Sequence, residues 1–493
     1  MPTPLHHDVI VIGAGFGGLG MGIQLKRAGR DDFLILEQDV GVGGTWHANR
    51  YPGAACDIPS LLYSFSFAPA ANWSRAYPQQ AEIESYLSDC VARFGLASHL
   101  RLRTRVSGLD WDETRQLWTV SAQETGKQSV QWTARVIVNA TGVLTRPNMP
   151  DLHGLADFKG AVMHTARWRG EVALAGKRIG VVGTGASAIQ VVPQLVKTAA
   201  TLTLFQRTPA WILPKPDKPV GPIQRWLQQN LPGWQKLRRA LLYVTHEMRG
   251  PGFTRRPAML KFFEPVAASF MRHQVHDPAL RTALTPNYRM GCKRILIASD
   301  FYPALQRRNA TLVTAGIERV LPEGVRSADG SFHPLDVLVL ATGFHAAEAM
   351  VPFPVRGRQG ADLDAAWRDG ARAYLGCTVP GFPNLFFIVG PNTALGHNSM
   401  IFMIESQLRY VLDGLARMER AGFGAVDPKW DVVDRFNNEL QQRMQGTVWA
   451  TGGCTSWYQT RSGLITTLWP GSTWEFRRRT RHFQLADYEG LKA

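Results

Sequence analysis

The chain carries one plan twice, and that repeat limits its fold more than any other feature. Residues 8–12 form a short, mostly apolar run that ends in Gly13-Ala-Gly15-Phe-Gly-Gly18. A helix-compatible stretch, 19–28, follows, and then a second apolar run, 33–36. The order recurs: Arg178-Ile-Gly-Val-Val182 leads into Gly183-Thr-Gly185-Ala-Ser-Ala188, a helix-like stretch to Val196, and Leu202-Thr-Leu-Phe205. Each unit also closes on an apolar strand that stops at Ala-Thr-Gly, at 140–142 and again at 341–343. In a strand–turn–helix–strand setting the first glycine permits the tight turn and the second lets the backbone approach a pyrophosphate. The third lets helix and strand pack, and the phosphates meet the helix amino terminus. The sequence therefore predicts an α/β protein with two Rossmann-like dinucleotide-binding domains.

The residue that closes each second strand separates the two sites. Glu37 stands 24 positions after Gly13 (37 − 13), where a carboxylate accepts hydrogen bonds from a ribose 2′-hydroxyl. Counting the same 24 positions from Gly183 reaches Arg207 (207 − 183), a cation suited to a 2′-phosphate or, with no ligand, to an ordinary surface strand end. On the ligand reading, the first site takes FAD and the second NADPH rather than NADH. Two such sites in one chain imply hydride transfer from nicotinamide to flavin.

From first glycine to last, the units span 129 and 160 positions (142 − 13 and 343 − 183), so the second holds an insertion. It falls between Pro209 and Met290, rich in Trp, Pro and Arg, with helix-like pieces at 223–231 and 234–248. The expected division is a first part of the FAD domain at 1–147 and an NADP domain at 148–208 and 291–345. A helical insertion at 209–290 lies over the cleft between the sites, and 346–493 returns to the FAD domain.

A length of 493 residues suits two or three domains, and 45% hydrophobic residues suit a globular chain. Five scattered cysteines without a C-x-x-C pair argue against a disulfide framework or a zinc site and favour a reducing compartment. Cys56 has no cysteine neighbour before Cys90, which speaks against a disulfide reductase. The apolar runs are far shorter than the ~20 residues of a membrane helix, and residues 1–8 leave no room for a signal peptide. The chain reads as soluble and cytoplasmic. Its formal net charge is +16, densest at Arg477, Arg478, Arg479, Arg481 and His482. That cluster suits a solvated face or weak binding to an anionic surface; no nucleic-acid motif accompanies it, so no nucleic-acid partner is expected.

Two further stretches narrow the class. Gly43-Gly-Thr-Trp46-His-Ala-Asn-Arg50-Tyr51-Pro52-Gly53-Ala-Ala-Cys-Asp57 resembles the long fingerprint of Baeyer–Villiger monooxygenases at every defined position. Phe158-Lys-Gly160-Ala-Val-Met-His164-Thr-Ala-Arg-Trp168 is similar to their shorter fingerprint in the linker between nucleotide units, and Trp168 is typical of that branch. Arg169 departs from it, standing where the family usually has Pro or Asp. The resemblance continues through Gly291-Cys-Lys293-Arg294, Ala341-Thr-Gly-Phe344, Gly390-Pro-Asn392 and Trp469-Pro-Gly-Ser-Thr-Trp474.

The resemblance implies an enzyme that uses FAD, NADPH and O₂ to turn a small apolar ketone into an ester or lactone through a flavin C4a-peroxide. It maps the catalytic cation onto Arg294 and the carboxylate that holds it onto Asp57. A fixed cation favours an anionic peroxide and the oxyanion of the tetrahedral adduct, and an arginine cannot be titrated away. Lys293 is mapped beside Arg207 on the 2′-phosphate, with Thr208 adding a hydroxyl and Gly183, Gly185, Ser187 and Ala188 forming the turn. Gly13, Gly15, Gly18 and Glu37 are joined as cofactor contacts by Gly44, Thr45, Trp46, Asp57, Tyr63, Val106 and Asn392. Taken alone, an Asp in a glycine-containing loop also suits a turn, and a Lys-Arg pair also suits a surface. His164 and Trp168 suit either a chemical role or a fixed linker. The alternative within the class is an N- or S-oxygenating flavin monooxygenase, which gains less from a fixed cation.

Overall fold

The computed structural model describes residues 5–126, 129–345 and 350–492; the domain limits expected at 1, 346 and 493 fall outside them. The first glycine turn belongs to a sheet that has eight strands among the described residues. Leu5–Ile12 lies at its middle, parallel to Phe33–Leu36 on one side and to Ser129–Asn139 on the other. Leu100–Arg101 extends the sheet past Phe33–Leu36; Leu117–Glu124, Thr104–Asp112 and Val355–Arg356 extend it the other way. Leu385–Phe387 pairs parallel with Ser129–Asn139, so the last third of the chain comes back to this sheet.

Burial on both faces explains the continuous apolar runs. Val9 and Val11 point into one core with Leu19, Ile23, Met403 and Val411, from the helices Phe16–Arg27 and Met400–Arg420. Ile10 and Ile12 point into the opposite core with Trp118, Val120, Phe353 and Leu385. Each fully buried side chain of this size contributes roughly 1.5–3 kcal/mol.

The second glycine turn belongs to a parallel sheet in the order Ala310–Val313, Thr201–Phe205, Arg178–Val182, Val337–Leu340 and Ala161–His164. Both turns obey the same steric rule. Gly13 has φ +102°, and a β-carbon there would sit 2.7 Å from the Ala140 carbonyl oxygen; Gly183 has φ +110°, and its β-carbon would sit 2.5 Å from that of Ala341. Each Ala-Thr-Gly strand end therefore abuts its own glycine turn, which is why the two signals occur together in both units.

Between Ile212–Leu213 and Leu296–Ile297, which pair with each other, lies the helical insertion. It holds the helices Pro222–Asn230, Trp234–Glu247, Gly250–Phe253, Glu264–Gln274 and Pro278–Leu284. The insertion is tied to the first domain by Arg75 and Asp217 at 2.9 Å and by Gln235, which donates to the Ala70 carbonyl at 2.6 Å. Glu247 carries a second tie. It accepts from Asn398 Nδ2, Thr473 N and Thr473 Oγ1, each at 2.7 Å, and lies 3.5 Å from His397. Burial pushes its carboxyl up, but these contacts outweigh burial and hold it at about 2.

One expectation needs correction. Cys292 and Cys454 form a disulfide across 162 positions, whereas Cys56, Cys90 and Cys377 are free and buried. Local spacing reveals only local pairs, and this one is created when the Lys293–Arg294 segment meets the loop before Tyr458. Among the described residues no helix is long and apolar enough to cross a membrane.

Candidate active site

A cavity of about 1630 Å³ runs between the two sheets. Gly13, Gly15, Glu37, Gly44, Thr45, Trp46, Asp57, Tyr63 and Val106 line it from the first domain. Gly183, Gly185, Ser187, Arg207, Thr208, Lys293 and Arg294 line it from the second. Three expected residues lie off it. Gly18 is a packing position, where a β-carbon would fall 1.7 Å from the Gly13 carbonyl oxygen, and Ala188 is buried at the equivalent place. Asn392 is buried too; its amide donates to the Ile465 and Leu468 carbonyls at 2.9 Å each.

Arg294 makes a two-point contact with Asp57: Nε donates to Oδ2 and Nη2 to Oδ1, both at 2.7 Å. Charge-assisted, forked pairs of this kind are the stronger and more oriented ion pairs. The Asp57 charge is the largest influence on the guanidinium and raises its pKa further, so Arg294 stays cationic. Tyr458 is buried beside it; burial pushes its hydroxyl pKa up, and the Arg294 charge offsets part of that. The Cys292–Cys454 bond links the segment of Arg294 to that of Tyr458. No local pattern marks Tyr458, which comes within reach only through the fold.

At the first glycine turn, helix Phe16–Arg27 starts at Gly15 with no side-chain cap. A β-carbon at Gly15 would come no closer than 3.6 Å to protein, and one at Gly185 would meet nothing within 4 Å. Both glycines face the cavity, and each leaves open space beside the start of its helix. Uncapped helix amides beside such space suit a phosphate. Glu37 is fixed by Ala14 N at 2.7 Å and Asp39 N at 3.0 Å; burial raises its pKa. On the other side, Arg207 and Lys293 make no ion pair among the described residues. Burial, and then the Arg207 charge, lower the pKa of Lys293. Two adjacent cations without a carboxylate suit a phosphate dianion. Thr184 Oγ1 donates to the Thr208 carbonyl at 2.6 Å, which fixes the backbone beside them. The residues present therefore fit a flavin dinucleotide at the first turn and a 2′-phosphorylated dinucleotide at the second.

The long 43–57 segment also joins the domains. Gln190, on helix Ala186–Leu195, accepts from the Tyr51 hydroxyl at 2.8 Å and from Ala55 N at 3.3 Å, and donates to the Ala55 carbonyl at 2.9 Å. Gly53 lies against the same helix with φ +85°, and a β-carbon there would be 2.6 Å from the Gln190 carbonyl oxygen. Trp46 Nε1 donates to the Tyr63 hydroxyl at 3.1 Å, and Tyr63 packs edge-on against Phe16.

The linker residues separate. Trp168 lines the cavity, whereas His164 is buried away from it at the end of strand Ala161–His164, opposite Leu340. Its Nδ1 accepts from Ala166 N at 3.0 Å, and burial lowers its pKa to about 4. Arg169 turns outward to Glu171 at 2.8 Å, so the departure from the short fingerprint does not touch the cavity. Helix Met400–Arg420 begins at the cavity wall with Ser399 Oγ accepting from Ile401 N at 3.3 Å. The helices of the insertion do not reach this wall; it enters through Pro209, Ala210 and Tyr288, because its inner face is taken up by the 61–77 and 397–473 contacts.

Comparison with known proteins agrees with this geometry. Residues 10–248 match the family described as pyridine nucleotide-disulphide oxidoreductase. Cys56, which lines the cavity, has no sulfur partner and a thiol pushed well up by burial, so the disulphide part of that description finds no counterpart there. A Baeyer–Villiger monooxygenase of Streptomyces coelicolor is 46% identical over 99% of this chain and 93% of its own length. The structure of cyclohexanone monooxygenase from Rhodococcus sp. Phi1 bound to NADP⁺ aligns with TM-score 0.88 at 29% identity over 100% of both chains. The OTEMO complex with FAD and NADP aligns with TM-score 0.86 at 28% identity over 98% of this chain and 99% of the other. With two dinucleotide-binding domains, an arginine–carboxylate pair between them and that identity over nearly its whole length, the chain belongs to the Baeyer–Villiger monooxygenases.

Proposed function

We propose that this chain uses FAD, NADPH and O₂ to convert an apolar ketone into the corresponding ester or lactone. The observation that carries the reading is the Arg294–Asp57 pair on the wall of a cavity walled by both glycine turns. Reduced flavin supplies the activated oxygen when it is bound. The chain's own residues bind, orient and hold charge. Gly13, Gly15 and Glu37 hold the flavin nucleotide, with Thr45, Trp46 and Tyr63 beside it. Gly183, Gly185 and Ser187 hold the second nucleotide, and Arg207 with Lys293 selects its 2′-phosphate.

Arg294 keeps a permanent positive charge where a carbonyl oxygen gains negative charge, and such fixed electrostatic stabilisation is typically the largest single catalytic contribution. Asp57 keeps its fork from swinging into solvent. Leu395, Trp457 and Leu468 give part of the wall an apolar character that suits a ketone of low polarity. The test is NADPH consumption with a panel of ketones and sulfides, with products identified by mass spectrometry. Ester or lactone from ketones supports the reading; sulfoxide as the sole product assigns the protein to heteroatom oxygenation instead.

A further inference from the structure

The helical insertion carries an apolar surface that nothing among the described residues covers. Helix Trp234–Glu247 has two opposite sides. Gln235, Arg239, Tyr243 and His246 turn toward the body of the protein, where Tyr243 reaches Thr473 Oγ1 at 2.6 Å. Leu237, Leu241, Val244 and, one turn on, Met248 form the outward stripe at helical spacing; Leu241 is 58% exposed and Met248 69%. The preceding helix exposes Ile223 and Trp226, and the following segment exposes Phe262 at 80%. Of 19 large exposed hydrophobic residues among those described, 11 fall within 223–266. Single exposed apolar side chains are ordinary, whereas this concentration marks a surface that something else covers.

Beside it lies a surface cavity of about 780 Å³, separate from the nucleotide cavity and walled by Arg255, Arg409, Arg477, Arg478 and Arg481 with the exposed Trp474. The two features sit on packed elements: Tyr243 stacks on Phe402 at 5.0 Å, and the Arg477 guanidinium lies 4.7 Å over the same ring. Glu475, the one carboxylate in that wall among the described residues, is taken by Arg443 at 2.7 Å and Arg479 at 3.2 Å. Arg255, Arg409, Arg478 and Arg481 make no ion pair among the described residues. Burial and then the Arg409 charge lower the pKa of Arg477, which indicates how crowded the positive charge is.

We propose that the outward stripe of the insertion and the adjacent arginine cavity dock this protein on a membrane surface containing anionic lipid. The stripe lies in the interface, and the arginines meet the phosphate headgroups. Charge selects this occupant over the others. A second copy of a chain with net charge +16 would bring like charge against the arginines, and nucleic acid would leave the apolar stripe uncovered. An anionic interface satisfies both surfaces at once.

The experiment is co-sedimentation of the full-length, FAD-loaded protein with vesicles of phosphatidylcholine alone or mixed with phosphatidylglycerol. The expected result is binding to the mixed vesicles that is at least about tenfold tighter than to neutral ones and weakens with salt. Leu241→Glu with Val244→Glu should abolish binding while flavin content and NADPH oxidation stay unchanged. Arg478→Gln with Arg481→Gln should weaken binding to the mixed vesicles by roughly tenfold. Equal or absent binding to the two vesicle types overturns the proposal. So does a dimer in solution that Leu241→Glu with Val244→Glu converts to monomer without any vesicle binding, since a second copy then covers the stripe.

Discussion

The Arg294 guanidinium grips both oxygens of Asp57, Nε to Oδ2 and Nη2 to Oδ1 at 2.7 Å each. The two residues are 237 positions apart, one in the long fingerprint of the first domain and the other in the Lys-Arg pair of the second. A cation so held stays charged and oriented at the domain junction. Arg294→Ala should therefore leave flavin reduction by NADPH intact under anaerobic conditions and cut ester formation in air by about 100-fold or more. Flavin absorbance and product yield, measured on the same preparation, separate the two steps.

Arg207 and Lys293 face the cavity without carboxylate partners among the described residues, and the Arg207 charge helps lower the pKa of Lys293. A 2′-phosphate would relieve that repulsion. Arg207→Ala should raise KM for NADPH by roughly 10- to 100-fold and change KM for NADH little. Steady-state kinetics with both coenzymes checks this; equal effects on the two would remove the 2′-phosphate assignment.

Gly53 fits against the Gln190 backbone only because it lacks a side chain. Gly53→Ala places a β-carbon on a carbonyl oxygen at a positive φ, a strain of about 1–3 kcal/mol. It should lower the thermal unfolding temperature. Gln190→Ala, which removes three hydrogen bonds to the same loop without adding bulk, should raise KM for NADPH as the junction loosens. Calorimetry on the first variant and kinetics on the second test the two claims separately.

His164 is buried, and burial lowers its pKa to about 4, well below the ordinary imidazole value of about 6.5. Between those values the unfolded chain takes up a proton that the native site refuses, so stability falls as pH drops from about 6.5 toward 4. The loss is of order 2–3 kcal/mol by the lower end. Denaturant unfolding across that range should show a pH slope that His164→Gln flattens.

The repeat made both glycine turns legible, because Gly13 and Gly183 are constrained by the Ala-Thr-Gly strand ends and Glu37 and Arg207 follow on the cavity wall at the same count. Long-range partners gave no such signal. Cys292 meets Cys454, Tyr458 lies beside Arg294 and Glu247 meets His397 only after the chain has folded. Asn392 shows the opposite limit: a motif placed it with the cofactors, yet its amide is spent on two backbone carbonyls off the cavity. The insertion was legible as helical, but which side of Trp234–Glu247 faces outward follows only from its contacts with the first domain and with Thr473.

Oxygen insertion beside a carbonyl draws its oxygen from O₂ in the proposed reaction. Incubation of the FAD-loaded protein with NADPH, heavy-isotope O₂ and a ketone, followed by mass spectrometry, tests it most directly. The expected product is an ester or lactone that carries one heavy oxygen and whose yield collapses in Arg294→Ala. NADPH consumption that ends only in hydrogen peroxide, or a labelled product undiminished in Arg294→Ala, would contradict it.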